Sequence, residues 1–414
     1  MLKKLTIKNF KAIQDMTLEF TPLAVLIGAN SCGKSTVLQA LDFLRSAATR
    51  DIPEYLREKG WSAGELKSRL GDGEDKPIEF IATFVFLQNK IEWYFIADYN
   101  DNGWSTRELF CINGKGVASY RLKPGVFNGL AITDAPEPFK NIKLESSLLK
   151  ILDNSLVDDA LAGPDGSFIG TVENPIFPVG FRQETLWNLK NYLASSSFLG
   201  VVSPDHIRSG ERGGHFDRFT APGEMSLVRF INDLSEGNRK EINDMVSNLV
   251  GHVFEIDAMF DKNQNLTLFA RETNGNAQSV IQAPHISDGV LRFVVFAALA
   301  VTSGQWGGMV LLDEIENGIN PYTTGLVIEH LRKIIAKSGK QIIITTHSPV
   351  MLNEFKPEEI VFLWRDQQGA AHGKQMFATE AMREALDFLN PGEIWENYGK
   401  DTILTKLNVP REDA

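Results

Sequence analysis

Only two cysteines, Cys32 and Cys111, occur in the chain. They are too few and too far apart for a disulfide framework or a zinc site, and such usage fits the cytoplasm. Nowhere is there an apolar run long enough for a signal peptide or a membrane span; the opening MLKKLTIKNF alternates like a strand instead. Internal repeats and low-complexity tracts are lacking. So is any long heptad run, which excludes an extended coiled coil. Positive charge is not in excess either: 53 acidic residues face 42 basic ones, for a formal net charge of −11. That disfavours a surface coated for nucleic acid, while leaving room for a local basic groove.

What remains is an ordinary globular composition over 414 residues, 43% of them hydrophobic. Such a chain can bury a sizeable core as one large domain or as two to three small ones. Leu5, Ile7 and Phe10, then Met16, Leu18 and Phe20, alternate as in an antiparallel meander. Leu23 to Ile27 is a continuous apolar run of the buried-strand kind, and a glycine-rich loop and a helix from about Lys34 to Arg45 follow. Residues 78–98 predict a hairpin turning at Gln88, Asn89 and Lys90. From Asn100 to about Lys190 no period dominates, and this stretch reads as an elaboration. Phe198 to Val202 again has a buried-strand pattern. Gly223 to Val250 predicts a helix with Met225, Val228, Ile231 and Leu234 on one face. Phe254 to Phe269 alternates like strands, and Gly289 to Val301 predicts a helix. Met309–Leu312 and Ile342–Thr345 are short strands of the parallel type.

Four segments carry chemistry. The first is Gly28, Ala29, Asn30, Ser31, Cys32, Gly33, Lys34, Ser35 and Thr36, which fits glycine, four residues, then Gly-Lys-Ser/Thr. Glycines let backbone N–H groups turn inward around a phosphate, and the helix that follows points its positive end at the same anion. Lys34 supplies charge for the outer phosphates, and the Ser35 hydroxyl is placed for Mg²⁺. The second segment, MVLLDE, is an apolar strand ending in Asp313 and Glu314. Alone it describes any buried strand that meets an acidic turn. Beside a phosphate loop it predicts Asp313 on Mg²⁺ and Glu314 orienting or deprotonating the attacking water. The third, ITTHS, runs a strand into His347 at the sheet edge where ligands of open α/β sheets bind. A lone histidine there most often bonds backbone, but the spacing after Glu314 points to a γ-phosphate sensor or water holder. The fourth, ISDGVLR, opens a helix with Ser287 and Gly289. That offers a hydroxyl and free N–H groups to a second anion, or else a plain N-cap by Ser287 or Asp288.

In this order the four segments resemble the ABC-type ATPases of the RecF, SMC and OLD group. LTIKNFKAI, LAVLIGANSCGKSTVLQAL, ISDGVLR, LLDEIENGINP and TTHSP carry the resemblance, over about residues 1–50 and 198–355. Ile286 replaces the expected leucine before the signature serine, and Asn320 stands where relatives often have histidine. The resemblance implies an α/β fold: an ABC-ATPase-type P-loop core with an antiparallel β lobe and a helical signature lobe. It implies one domain over 1–414, with the P-loop and β lobe in 1–100 and an inserted elaboration in 100–197. The helical lobe, signature segment, Walker B strand and switch histidine would fill 198–360, and a tail 361–414. It further implies ATP and Mg²⁺ as cofactors and a homodimer or higher oligomer in which Ser287 and Gly289 reach the nucleotide of the other protomer. Asp205, in VSPDH, falls where RecF-like proteins place a Q-loop and is a candidate metal or water contact.

The leading expectation is an ATPase subunit that gates a separate nuclease or toxin in bacterial defence or genome maintenance. The alternative is a RecF-like DNA-binding repair clamp, for which Arg208, Arg212, His215 and Arg218 offer a local basic cluster. A P-loop kinase or GTPase fits less well, since no Asn/Thr-Lys-x-Asp motif is evident. The 67 residues after His347 hold no Asp-x-Asp and are too few for the TOPRIM domain of OLD nucleases. Glu393, Glu396 and Asp401 there lie in an aromatic segment that reads as packing or partner contact.

Overall fold

The computed structural model describes residues 1–86, 88–100, 103–123, 126–130, 149, 183–200, 204–209, 227–262, 265–275, 277–301 and 307–410. The chain opens with strands β1 (Leu2–Phe10), β2 (Ile13–Glu19) and β3 (Leu23–Ile27), then helices α1 (Lys34–Ala47) and α2 (Ile52–Lys59). Strands β4 (Ile78–Phe86), β5 (Asn89–Asn100), β6 (Gly103–Ile112), β7 (Lys115–Lys123) and β8 (Val126–Leu130) follow. After α3 (Gln183–Ala194) come β9 (Ser197–Gly200), α4 (Pro204–Ser209), α5 (Leu227–Asn232) and α6 (Glu236–Val250). Strands β10 (Val253–Phe260), β11 (Leu266–Asn274) and β12 (Ala277–Gln282) precede α7 (Asp288–Val301). The remainder is β13 (Met309–Leu312), α8 (Thr324–Ser338), β14 (Gln341–Thr345), α9 (Pro349–Leu352), β15 (Ile360–Arg365), β16 (Ala371–Gln375), α10 (Glu380–Arg383) and α11 (Pro391–Lys406).

Among the described residues three sheets form. One is antiparallel in the order β2-β1-β4-β5-β6-β7-β8, and a smaller one is β10-β11-β12. The third runs β16-β15-β3-β14-β13-β9, with β15, β3, β14, β13 and β9 parallel and β16 antiparallel at the edge. Its central strands are buried on both faces, which is why they read as unbroken apolar runs. Val25 and Ile27 face one core together with Ile342, Ile344, Val310 and Leu312. Ala24 and Leu26 face a second core with Ile343, Leu311 and α1.

Helix α1 is wedged between the parallel sheet and the antiparallel one, and eleven of its fourteen residues are buried. Phe43 meets Phe10, Phe80, Tyr55 and Phe95 at ring separations of 5.8, 5.9, 5.9 and 6.4 Å. Burying one such ring contributes roughly 2–3 kcal/mol. On the same helix, fully buried Asp42 accepts hydrogen bonds from Arg45 at 2.6 Å and Tyr55 at 3.1 Å and pairs with Lys59 at 2.9 Å, so its charge is compensated on all sides. Gln341 ties the two sheets: its amide donates to the carbonyls of Leu2 and Thr21, and its oxygen accepts from Tyr192 at 2.6 Å.

The observed elements differ from the sequence pattern in several places. Asn89 pairs with Phe86, so Asn89 and Lys90 lie in β5 and the hairpin turns one residue earlier. Past residue 100 the antiparallel sheet continues through β6, β7 and β8. The inward residues of β6 are Trp104, Thr106, Glu108 and Phe110, and the two polar ones among them erase the apolar alternation. Glu108 is tolerated there because Trp93 Nε1 donates to it. The single helix expected up to Val250 is two: it breaks at Leu234, and Ser235 caps α6 by accepting from the Asn238 N–H. Gly223 and Met225 lie outside the described residues, as do Arg212, His215 and Arg218. Strand β9 is only half-buried and is described no further than Gly200. The C-terminal segment packs. Ile394 of α11 is fully buried, and the Gly392 N–H donates to Asn353 beside α9.

Candidate active site

Strand β3 delivers its carboxyl end into the loop 28–33, and helix α1 starts at Lys34. The loop demands glycine twice. At Gly28 φ is +151°, and a Cβ would stand 2.2 Å from the Leu363 carbonyl oxygen. At Gly33 φ is +113°, and a Cβ would stand 2.8 Å from that of Ala371. Only glycine accepts both the conformation and the approach. Gly33 caps α1 without a side-chain hydrogen bond, so the first N–H groups of the helix are left to other partners. Ala29, Asn30 and Ser31 are exposed, Ser35 and Thr36 half-buried, and Cys32 buried. Burial raises the Cys32 thiol pKa against the pull of Lys34, so this position contributes backbone rather than a reactive sulfur.

Lys34 is buried, and its ammonium donates to the carbonyls of Gly28 at 2.9 Å and Ala29 at 3.0 Å. Burial lowers its pKa, opposed by Cys32, Asp313, Glu316 and Glu314 in turn. The phosphate-type loop and the acidic turn after β13 therefore act on one another across the edge of the sheet. That edge is where β13 and β14, paired in register Leu312 to Ile344, both end.

Thr345 organises the turn. Its hydroxyl donates to Asp313 Oδ1 at 2.5 Å and accepts the Glu314 N–H at 2.8 Å. Glu314 has φ +49°, a conformation that costs a residue with a Cβ roughly 1–3 kcal/mol and clusters at functional sites. It is held there by the Thr345 hydroxyl and by Asn317, whose amide donates to Glu314 Oε2 at 2.7 Å. The half-buried His347 donates its backbone N–H to Glu316 Oε1 at 2.6 Å, which ties the end of β14 to the same turn. Thr345, Glu316 and Asn317 were not singled out in the sequence. Their signal was only adjacency to the two motifs, since the contacts of Thr345 and Glu316 span about thirty positions.

The fourth segment lies against this turn. A Cβ on Gly289 would stand 3.0 Å from the Gly318 carbonyl oxygen. Ser287 is exposed, and its hydroxyl accepts the Val290 N–H at 3.4 Å, a weak N-cap on α7. Asp205 is exposed on α4 and pairs with Arg208 at 2.9 Å; Arg208 also pairs with Asp288 and donates to the Ile286 carbonyl. Arg208 thereby joins Asp205 to the signature segment. Among the described residues no group of three or more His, Cys, Asp or Glu could hold a metal ion.

Residues 140–353 match the family described as "AAA domain, putative AbiEii toxin, Type IV TA system", and residues 1–113 match that of the AAA ATPase domain. The first of these spans more than half of the chain. The chain belongs to this AAA family and is an ABC-type P-loop ATPase of the RecF, SMC and OLD group. A 44-residue stretch of this ATPase is 43% identical to an OLD nuclease of Thermus scotoductus (strain ATCC 700910 / SA-01). That stretch is 11% of the chain and 8% of the nuclease. Its fold is similar to that of the SmcHead solved bound to the C-winged helix domain of ScpA, at a TM-score of 0.54 and 12% identity, over 90% of this chain and 97% of that one. Among the described residues no helix of the ATPase is long and apolar enough to cross a membrane.

Proposed function

We propose that this ATPase closes as a homodimer over ATP and thereby gates a separate effector, a nuclease or toxin, in a bacterial defence or genome-maintenance complex. The observation that carries the reading is that Lys34, after β3, and Asp313 and Glu314, after β13, follow the carboxyl ends of strands in one parallel sheet, separated there by β14 alone. The N–H groups of residues 28–36 would cradle the phosphates, with Lys34 turning from the Gly28 and Ala29 carbonyls to the β- and γ-oxygens. Glu314, already aimed by Asn317 and Thr345, would accept a proton from the attacking water. His347 would hold that water or contact the γ-phosphate from the end of β14.

Ser35 and Asp313 fit a Mg²⁺ shared with the nucleotide. The Ser35 hydroxyl and Asp313 Oδ2 form no hydrogen bond among the described residues, and Thr345 fixes the other carboxylate oxygen. When bound, such an ion neutralises phosphate charge. Ser287 and Gly289, at a helix start beside the acidic turn, would clamp the γ-phosphate of the opposite protomer. The effector and the defence setting rest on the family likeness, and the domain division outlined from the sequence remains part of this proposal. The net charge of −11 and the engagement of Arg208 in ion pairs favour a protein effector over a DNA clamp.

Glu314→Gln tests the core of it. The amide keeps shape and hydrogen bonding but is no base. Turnover should fall by about 100-fold or more while ATP binding persists, and sedimentation should show an ATP-dependent dimer. Normal hydrolysis with unchanged assembly would remove Glu314 from its role.

A further inference from the structure

The nucleotide reading above leaves one face of the phosphate loop without a role. The sheet order is β16-β15-β3-β14-β13-β9. Asp313, Glu314 and His347 stand at the ends of β13 and β14, all on one flank of β3. On the other flank β15 runs parallel to β3, with Phe362 level with Ile27. Arg365 ends β15 three residues beyond that pair, past the point where β3 gives way to the loop 28–33.

Its side of the sheet follows from the strand. Ile360, Phe362 and Trp364 contribute to one core, while Val361 and Leu363 contribute to the core that contains α1. With a period of two, Arg365 continues the face of Leu363, the face on which α1 and the loop lie. The β15–β16 hairpin touches the loop at both ends. The Leu363 carbonyl abuts Gly28, and Ala371, the register partner of Arg365, abuts Gly33. The Arg365 guanidinium is exposed and forms no hydrogen bond or ion pair among the described residues, although its charge reaches Cys32 in the loop.

We infer that Arg365 is a nucleotide-binding residue that places its guanidinium on the α-phosphate at the nucleoside end, on the flank opposite the hydrolytic carboxylates. A phosphate chain laid along the loop with its γ-end toward Asp313 has its α-end toward β15. A free guanidinium at that end supplies the α-phosphate with a positive charge of its own, while Lys34, in the nucleotide reading, is committed to the β- and γ-oxygens. Arg365 therefore acts on ATP and ADP alike and takes no part in bond cleavage.

The test compares wild type with Arg365→Ala and Arg365→Lys by isothermal titration of ATP and of ADP, with steady-state turnover alongside. The backbone carbonyl of Arg365, which accepts from Lys400 Nζ at 2.7 Å, survives both substitutions, and the side chain is exposed, so the fold is kept. Arg365→Ala should weaken ATP and ADP together by about tenfold, the worth of one charge-assisted hydrogen bond. It should raise KM with kcat nearly unchanged, and Arg365→Lys should recover most of the affinity. Unchanged affinity for both nucleotides, or a loss confined to ATP, overturns the inference. Retention of affinity in Lys34→Ala would instead overturn the nucleotide reading on which it rests.

Discussion

The two edges of the parallel sheet each bury a lysine and treat it differently. At the carboxyl edge Lys34 donates to the Gly28 and Ala29 carbonyls, and burial lowers its pKa against the opposing pull of Asp313, Glu316 and Glu314. At the amino edge Lys340 donates to the Leu299 carbonyl at 3.0 Å, and burial lowers its pKa to about 8. The amino edge is otherwise stitched by neutral bonds, with Gln341 joined to Leu2, Thr21 and Tyr192, and the Ser196 hydroxyl accepting the Met309 N–H at 2.7 Å. It is satisfied by its own chain. The carboxyl edge keeps an uncapped helix start, a strained Glu314 and a half-open acidic turn. One sheet thus has a closed edge that holds it together and an open edge with valences for a ligand.

The sharpest way to break this contrast is Lys34→Ala. With no charge over the outer phosphates, ATP affinity should fall by about 100-fold or more, with circular dichroism unchanged. Wild-type affinity in calorimetry would show that the open edge is not a nucleotide site. Ser287→Arg acts next. The substitution removes a weak cap and adds a long cation at the start of α7, so P-loop binding of ATP should stay within about threefold while turnover drops by about 100-fold. In an ATP-bound Glu314→Gln complex Ser287 should lie beside the γ-phosphate of the other copy. Its appearance beside its own copy's phosphate would sink the dimer reading.

The closed edge gives the smallest effect. Lys340 has its folded pKa depressed from 10.5 to about 8. Between those values the unfolded chain binds more protons than the folded one, so stability rises with pH. Below about pH 8 both states are protonated, and the full cost of the buried charge is present. The gain from pH 8 to 10.5 should be about 1–3 kcal/mol, read from urea midpoints, and Lys340→Met should remove that slope. An equal slope in both proteins would assign the rise to other groups.

The candidate residues of the open edge were legible as motifs because phosphate binding, as proposed there, would dictate residue type at fixed local spacing. A loop needing two glycines, a lysine and a hydroxyl within nine positions leaves a mark in the chain itself. The parallel strands were legible for a related reason, since burial on both faces removes polar residues altogether. Strands β6 to β8 were not, because Thr106 and Glu108 occupy inward positions that only a partner such as Trp93 makes tolerable. The break at Leu234 was missed because apolar spacing continues through it, while the cap that enforces it is a single serine.

By itself the sequence determined which segments are candidates for phosphate, acid and switch chemistry, and that buried strands of the parallel type precede three of them. Tertiary structure alone decided what completes the site. Thr345 clamps Asp313 and Glu314, Glu316 holds the His347 backbone, and the β15–β16 hairpin brings Arg365 alongside the loop. The first are properties of short stretches, where side-chain type and spacing suffice. The second are contacts between residues some thirty to three hundred and forty positions apart, and these exist only once the strands have taken their order in the sheet.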